Sequence, residues 1–434
     1  MDINTLYSTF LSYPAVSTDS RHIMPNSIFF ALKGEHFDGN RFALDALEQG
    51  AAYAVVSDPS LQSDKVVCVQ DTLETLQALA RHHRRQFKGP VLAITGSNGK
   101  TTTKELITAV LSSKYNVHAT KGNFNNHIGV PLTLLGIRKE TEFVVCEMGA
   151  NHAGEIALLC SIAEPEYGLI TNIGKAHLEG FGSIEGVKKA KGELFDHLRQ
   201  HDGLAFVNTD DPRLYNLGLN LSKKINYGFN AEHHPDHLFS YLTQPGSAGF
   251  TLKDQHSDLV FHSHMFGIYN AVNMLAAYTV GHYFKVNDDQ ITSTLSSYVP
   301  GANRSETIVY NHCTIIKDAY NANPSSMELA VRAFHDQYPH GWIILGDMKE
   351  LGSETNIAHR HMIDLVTSLS FDRIYLVGEA FHQNWIDENN NDQRVRCALS
   401  IDELKSGWDW SPLKGATLFL KGSRSMHLEK LLES

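Results

Sequence analysis

The chain has 434 residues, 42% of them hydrophobic, and carries a formal net charge of −11. This length predicts two to four domains with packed cores, and the mixed charges exclude a basic nucleic-acid stripe or a polybasic membrane anchor. The five cysteines have no metal-binding spacing, the N-terminus lacks a signal-peptide pattern, and no apolar run is long enough to span a membrane. We therefore expect a cytoplasmic protein that binds neither nucleic acid nor membrane.

The first 87 residues predict a small α/β domain. Three strand-like runs, SIFFAL, AAYAVVS and VVCVQ, alternate with helical patterns, and the helix-like TLETLQALARHHRRQFKG closes the unit. Two polar segments, residues 18–21 (TDSR) and 33–40 (KGEHFDGN), are rich in turn-forming residues. Their composition alone indicates turns.

Residues 91–103, VLAITGSNGKTTT, combine a buried strand, a glycine turn and the start of a helix. This pattern is typical of a phosphate cradle, because the turn amides face the anion, Lys100 supplies charge and the Thr101 hydroxyl can bind Mg²⁺. The turn is shorter than the common P-loop, which would have glycine where this chain has Ile94. A structural loop is the alternative, but the flanking strand and helix favour an ATP site.

Strand-like and helix-like runs then alternate, which predicts a mostly parallel sheet with ligands at the carboxyl ends of its strands. Glu147 ends one apolar run, and His177 follows another among several glycines. Glu147 could hold Mg²⁺ beside the P-loop, with His177 as a second ligand or as an ordinary hydrogen-bonded histidine. By composition, Lys191 is a solvated helix lysine.

The rest of the chain predicts an antiparallel edge and a third domain. Residues 231–264 have short alternating runs, and the following helix places Asn270 and Asn273 on one face. From about Arg304, the strands CTIIKDAY, GWIILGDM, RIYLVGE and ATLFLKGS alternate with helical patterns. The predicted domains are residues 1–87, 88–302 and 303–434.

The motifs, in this order, resemble the Mur ligase family over nearly the whole chain. They are GSNGKTTTKE, GNFNNHIG, EMGANH, AHLEGFGSIEGVKKAKGELF, DAYNANPSSM, GDMKELG and KGSRSMHLEKLL. The resemblance implies a three-domain α/β architecture: a small domain for the uridine nucleotide, a central P-loop ATPase domain with a mostly parallel sheet, and a Rossmann-like C-terminal domain that closes over the site. It also implies an enzyme that uses ATP and Mg²⁺ to join D-alanyl-D-alanine to UDP-MurNAc-tripeptide through an acyl phosphate. We expect a monomer, although the sequence itself does not reveal the oligomeric state.

The resemblance implies roles for named residues. The catalytic set is Lys100, Lys191, His177 and Arg304, although the residue before this arginine is Asn303 and not the usual Gly or His. The ATP-binding set is Gly96, Ser97, Asn98, Gly99, Lys100, Thr101, Thr102, Asn270, Asn273, Asn321 and Asn323. The substrate-binding set is Thr18, Asp19, Ser20, Arg21, Lys33, Gly34, Asp38, Gly39, Asn125, Asn126, Asp347 and Arg424. The metal ligands are Thr101, Glu147, His177 and, once carbamylated to a carboxylate, Lys191.

Three other functions share part of this pattern. The Mur ligase that adds the third amino acid would need a DNPR-like motif where this chain has NANPSSM. A folylpolyglutamate synthetase shares the P-loop but lacks the N-terminal unit. A P-loop switch would need no second metal site, and the joint presence of Glu147, His177 and Lys191 argues against it. The third residue of the tripeptide, meso-diaminopimelate or lysine, stays open.

Overall fold

The computed structural model describes residues 2–175, 177–243, 246–301, 303–387 and 391–433. Within these residues the strands form three main sheets that follow one another along the chain. No helix in the described part is long and apolar enough to cross a membrane.

The N-terminal domain contains a parallel sheet in the order β1-β2-β5-β6, and a short hairpin, β3–β4, projects from it. The predicted runs SIFFAL, AAYAVVS and VVCVQ form β2, β5 and β6, whereas β1 and the hairpin escaped prediction. The elements are α1 (Ile3–Ser12), β1 (Ala15–Ser17), β2 (Ser27–Phe30), β3 (Lys33–Gly34), β4 (Phe37–Asp38), α2 (Ala43–Glu48), β5 (Tyr53–Val56), β6 (Val66–Cys68) and α3 (Thr72–Gln86).

The central domain is built on a sheet in the order β15-β14-β13-β12-β11-β10-β7-β9-β8. Its strands are β7 (Val91–Thr95), β8 (Val117–Ala119), β9 (Phe143–Glu147), β10 (Tyr167–Ile170), β11 (Leu204–Asn208), β12 (Lys224–Gly228), β13 (His237–Thr243), β14 (Phe250–Asp254) and β15 (Val260–Ser263). The strands from β8 to β13 pair in parallel and the last two are antiparallel, which confirms the predicted mostly parallel sheet with an antiparallel edge.

Helices cover both faces of this sheet, so every residue of β7 is buried. A strand buried on both faces has a continuous apolar run, which is why VLAIT does not alternate. The helices are α4 (Lys100–Ser112), α5 (Gly129–Leu135), α6 (Glu155–Ala163), α7 (Leu178–Phe181), α8 (Ile184–Gln200), α9 (Pro212–Gly218), α10 (Ile268–Tyr283) and α11 (Asp288–Ser297).

The C-terminal domain contains a sheet in the order β16-β17-β21-β18-β19-β20, parallel except for β16. Its elements are β16 (Glu306–Tyr310), β17 (Cys313–Asp318), α12 (Pro324–Gln337), β18 (Trp342–Gly346), α13 (Thr355–Ser368), β19 (Arg373–Val377), α14 (Glu379–Asp387), β20 (Val395–Ala398), α15 (Ile401–Ser406) and β21 (Thr417–Lys421).

The first two domains share one apolar core, in which Phe10 and Phe30 belong to the same cluster as Val91 and Val144. The buried guanidinium of Arg84 adds polar contacts to the carbonyl oxygen of the last residue of α6 and to a nearby carboxylate. The C-terminal sheet has separate cores, one of which includes Phe266 from the central domain. The exact domain boundaries, 87/88 and 302/303, stay predictions.

Candidate active site

A cavity of about 1180 Å³ lies where the carboxyl ends of the central strands meet the C-terminal domain. This volume is somewhat above the range of typical small-molecule sites, roughly 300–1,000 Å³. From the central domain, its walls include the P-loop, Glu147, His177 and two asparagines of α10; from the C-terminal domain they include Arg304 and Tyr320. The cavity is therefore complete only where the two domains are in contact.

The P-loop takes a backbone that requires glycine at two positions. Gly96 and Gly99 have φ values of 142° and 77°, in the region that side chains disfavour. A Cβ on Gly99 would lie 2.8 Å from the Asn273 amide oxygen. The loop is fixed further by Asn172, whose amide oxygen accepts from the backbone N–H of Asn98 at 3.0 Å.

The lysine at the start of α4 folds over this loop. Lys100 Nζ donates to the carbonyl oxygens of Gly96 at 2.8 Å and Ser97 at 3.2 Å. Burial lowers the pKa of Lys100, and the charge of Glu147 partly offsets that effect. The ammonium is thus held at the mouth of the loop, where the phosphates of a nucleotide would bind.

Glu147 is the buried carboxylate of the site, at 1% exposure. Its Oε1 accepts from the Thr101 hydroxyl at 3.2 Å and from the Asn125 amide at 2.8 Å. Its Oε2 lies 3.8 Å from Lys104 Nζ and has no hydrogen-bond donor among the described residues. A buried carboxylate oxygen without a donor is costly unless a cation approaches it. The Glu147 carboxylate and the Thr101 hydroxyl therefore fit Mg²⁺ as oxygen ligands.

Lys191 lies in α8 and is 1% exposed, so its interpretation as a solvated helix lysine was wrong. Its Nζ donates to the carbonyl oxygen of Ala150 at 3.0 Å and lies 5.1 Å from the centre of the Phe181 ring. Burial, with help from the charge of Lys100, lowers the pKa of Lys191 to about 7. The amine does not line the cavity itself but lies behind its wall.

His177 lines the cavity and contacts the C-terminal domain. Its Nδ1 lies 2.7 Å from a carboxylate oxygen of Glu350. Burial lowers the pKa of His177, and Glu350 raises it again in part. Lys100 and Lys191 also lower this pKa, which places all three basic groups in one electrostatic environment.

Of the four asparagines predicted for ATP, Asn270, Asn273 and Asn321 line the cavity and Asn323 does not. Most of their hydrogen bonds are made to other protein groups. Asn273 donates to the Asn270 side chain at 3.0 Å and accepts from the Thr103 hydroxyl at 3.1 Å. Asn323 caps α12 and donates to the Asn98 side chain at 2.6 Å, which joins the C-terminal domain to the P-loop. Asn321, Ser97 and Thr102 also line the cavity.

Two arginines of the C-terminal domain flank one tyrosine. The guanidinium carbons of Arg304 and Arg424 lie 3.5 Å and 5.1 Å from the centre of the Tyr320 ring. Neither arginine has an ion pair in the described parts of the chain. Their charges are therefore available to an anion.

The structure does not bring the N-terminal residues to the cavity. Thr18, Asp19, Ser20, Arg21, Lys33, Gly34, Asp38 and Gly39 lie on the N-terminal domain, outside its lining. Asn125 and Asn126 do line it, and the second also accepts from the N–H of Gly129, the first residue of α5, at 2.9 Å.

Asp347 lies beneath the surface of the C-terminal domain and not at the cavity. Its carboxylate accepts from the N–H groups of Ala380 and Phe381, at 3.1 Å each. The geometry gives it a role in fixing the first turn of α14, and this differs from the substrate contact that the sequence predicted.

Sequence reasoning missed three cavity residues, Asn172, Tyr320 and Ser325, and the interface residue Glu350. Asn172 ends the run YGLITN, and this position at a strand end was a usable signal. The other three lie within the motifs DAYNANPSSM and GDMKELG, but nothing in their spacing indicates contact with the central domain. Ser325 accepts from the N–H of Lys175 across this interface at 3.0 Å.

A glycine turn with a lysine at the helix start, on a parallel sheet between two further α/β domains, defines a P-loop nucleotide-binding enzyme. Three family models match: the Mur ligase family catalytic domain at residues 12–84, the Mur ligase middle domain at 94–281 and the Mur ligase glutamate ligase domain at 303–424. The chain belongs to the Mur ligase family.

Curated relatives match almost end to end. The UDP-N-acetylmuramoyl-tripeptide–D-alanyl-D-alanine ligase of Bacillus subtilis is 36% identical, over 96% of this chain and 92% of the relative. The ligase of the same name from Escherichia coli is 33% identical, over 98% and 94%.

Solved structures are also similar to this chain over nearly its whole length. MurF from Acinetobacter baumannii gives a TM-score of 0.86 at 30% identity, over 96% of this chain and 92% of that one. The MurF ligase from Thermotoga maritima in complex with ADP gives 0.83 at 27% identity, over 98% and 97%.

Proposed function

We infer that the chain is an ATP-dependent ligase that joins D-alanyl-D-alanine to UDP-N-acetylmuramoyl-tripeptide and so supplies the pentapeptide precursor of peptidoglycan. The observation that carries this function is one cavity lined by both the P-loop and the C-terminal domain. A reaction that first activates an acid with ATP and then adds an amine needs both components in one enclosed site. The curated relatives of that name support the identity of the two substrates.

A carboxylate does not react with an amine at neutral pH, because its leaving group would be oxide. The terminal carboxylate of the tripeptide therefore attacks the γ-phosphate, and the bond to ADP breaks to give an acyl phosphate. The amine of the dipeptide, after losing a proton, attacks the acyl carbon, and phosphate leaves as the amide forms. Lys100 and the P-loop amides stabilise the transferring phosphoryl group. Closure of the C-terminal domain over the site would exclude water from the acyl phosphate.

The remaining site residues receive proposed roles from their positions. Thr101 and Glu147 would hold one Mg²⁺, and His177 with carbamylated Lys191 a second. These ions would neutralise the charge of the phosphates. Arg304 and Arg424 would bind anionic groups of the substrates. The adenosine would lie near Asn270, Asn273, Asn321 and Asn323, the UDP near residues 18–21 and 33–39, and the muramoyl peptide near Asn125 and Asn126.

We also propose that the protein acts as a monomer in the cytoplasm. All five cysteines are free, as expected in a reducing compartment.

Replacing Glu147 with glutamine should raise the Mg²⁺ concentration needed for half-maximal activity by about tenfold or more. Glutamine keeps an acceptor for Thr101 and Asn125 but removes the negative charge that the cation needs. The measurement is a Mg²⁺ titration of phosphate release. Glu140→Gln, at an exposed loop position, is the matched control. An unchanged titration would remove Glu147 from the metal site.

The test of the function is phosphate release from ATP with UDP-MurNAc-tripeptide, with and without D-Ala-D-Ala. The ligase requires release that depends on both substrates, with a product heavier by one dipeptide. Parallel reactions with the meso-diaminopimelate and lysine tripeptides identify the third residue. Release that needs neither substrate would instead indicate a nucleotide switch.

A further inference from the structure

Two residues with left-handed backbones meet across the domain interface. His177, after β10 of the central domain, has φ of 51°, and Glu350, after β18 of the C-terminal domain, has φ of 63°. Neither is glycine, so each conformation costs free energy that the surrounding structure must offset. Their side chains lie 2.7 Å apart, from Nδ1 to a carboxylate oxygen.

The loop that carries this glutamate is held firmly. The N–H of Met348 donates to His359 Nε2 at 3.1 Å, and the N–H of Lys349 donates to the Ser423 hydroxyl at 3.0 Å. The buried carboxylate of Asp347 accepts two N–H groups from the first turn of α14. Three separate parts of the C-terminal domain therefore hold the loop and fix the direction of Glu350.

Stability does not explain this contact. The Glu350 side chain is 63% exposed, and a polar contact that is open to solvent contributes little to stability. The contact does change what the imidazole can do. A carboxylate that accepts from Nδ1–H leaves the lone pair on Nε2, so that this nitrogen is the one free to bind a metal ion.

We propose that Glu350 is a positioning residue that acts through His177. The C-terminal domain carries the carboxylate that selects the imidazole tautomer, so the cation site of the central domain is complete only when the two domains are in contact. This inference rests on the proposed function, because it assigns His177 to the site that serves the ligase reaction. It adds a reason for the enzyme to activate the acid only after closure.

The test compares Glu350→Ala with Glu354→Gln, a nearby control whose side chain has no hydrogen bond or ion pair among the described residues. The left-handed backbone at this position costs alanine about as much free energy as glutamate, because both have a Cβ. The substitution therefore removes the carboxylate without changing the backbone cost. We expect Glu350→Ala to lower kcat by about 10- to 100-fold with little change in KM for the UDP substrate. Glu350→Gln, which keeps an acceptor oxygen, should restore part of the loss.

The second measurement is the ¹⁵N spectrum of the histidine side chains in the protein without ligands, with the His177 signal identified by its loss in His177→Asn. The wild type should show the Nδ1–H tautomer, and Glu350→Ala a shift towards Nε2–H. A kcat within twofold of the wild type would overturn the inference, and so would a loss of activity with an unchanged tautomer. If the wild type itself shows no dipeptide-dependent phosphate release, the proposed function fails instead.

Discussion

Lys100→Ala is expected to lower kcat for phosphate release by a factor on the order of 10³ or more. Lys100 is the ammonium held at the mouth of the P-loop by the carbonyl oxygens of Gly96 and Ser97. Phosphoryl transfer depends on charge neutralisation and positioning, and alanine supplies neither. The UDP substrate, whose predicted contacts lie on the N-terminal domain, should still bind with nearly unchanged affinity in a calorimetric titration.

The matched control for this substitution is Lys139→Ala, which removes an exposed lysine from a loop outside the cavity. Normal turnover in Lys100→Ala would contradict its place at the phosphates. Loss of both turnover and UDP-substrate binding would indicate a folding defect, which circular dichroism of the variant would detect.

Lys191→Ala should be nearly inactive, and added short carboxylic acids such as acetate should restore part of its activity. A carbamate is a carboxylate on a lysine, so a free acid that occupies the space left by alanine can replace its oxygen ligands. Burial prepares this lysine for carbamylation, because only the neutral amine reacts with carbon dioxide. Since its pKa is about 7, a large fraction of the amine is neutral at physiological pH.

The direction of the pH effect follows from the lowered pKa. The neutral fraction of Lys191 grows as the pH rises through about 7, so an enzyme freed of carbon dioxide should regain activity faster on bicarbonate addition above neutral pH than below it. Lys189→Ala, at an exposed position of the same helix, is the control. Wild-type activity in Lys191→Ala, or no effect of acetate, would contradict the carbamate.

The sequence predicted the sheets well because their signals are local. VLAIT forms a strand buried on both faces, and the alternating runs after residue 231 form an antiparallel edge, as their patterns require. Local patterns could not predict burial that depends on other elements. Lys191 has the sequence context of a surface helix, yet Ala150 and Phe181 enclose it.

The sequence also could not predict contacts between domains. Asp347 follows a strand at a position typical of ligand binding, but its carboxylate turns to the start of a neighbouring helix. Glu350 meets His177 from another sheet, 173 positions along the chain. The spacing of residues along the chain does not say which distant segments meet in the fold, so it cannot reveal such a pair.

The shared core of the first two domains has a consequence for how the protein melts. Phe30 and Val91 belong to one continuous apolar cluster, so neither domain can lose its packing without exposing the other. Among the described buried residues, the cores of the C-terminal sheet include a single one from the central domain, Phe266, and the sheet meets the P-loop through polar contacts such as Asn98 to Asn323. A calorimetric scan should therefore show two cooperative transitions, one for the N-terminal and central domains together and one for the C-terminal domain.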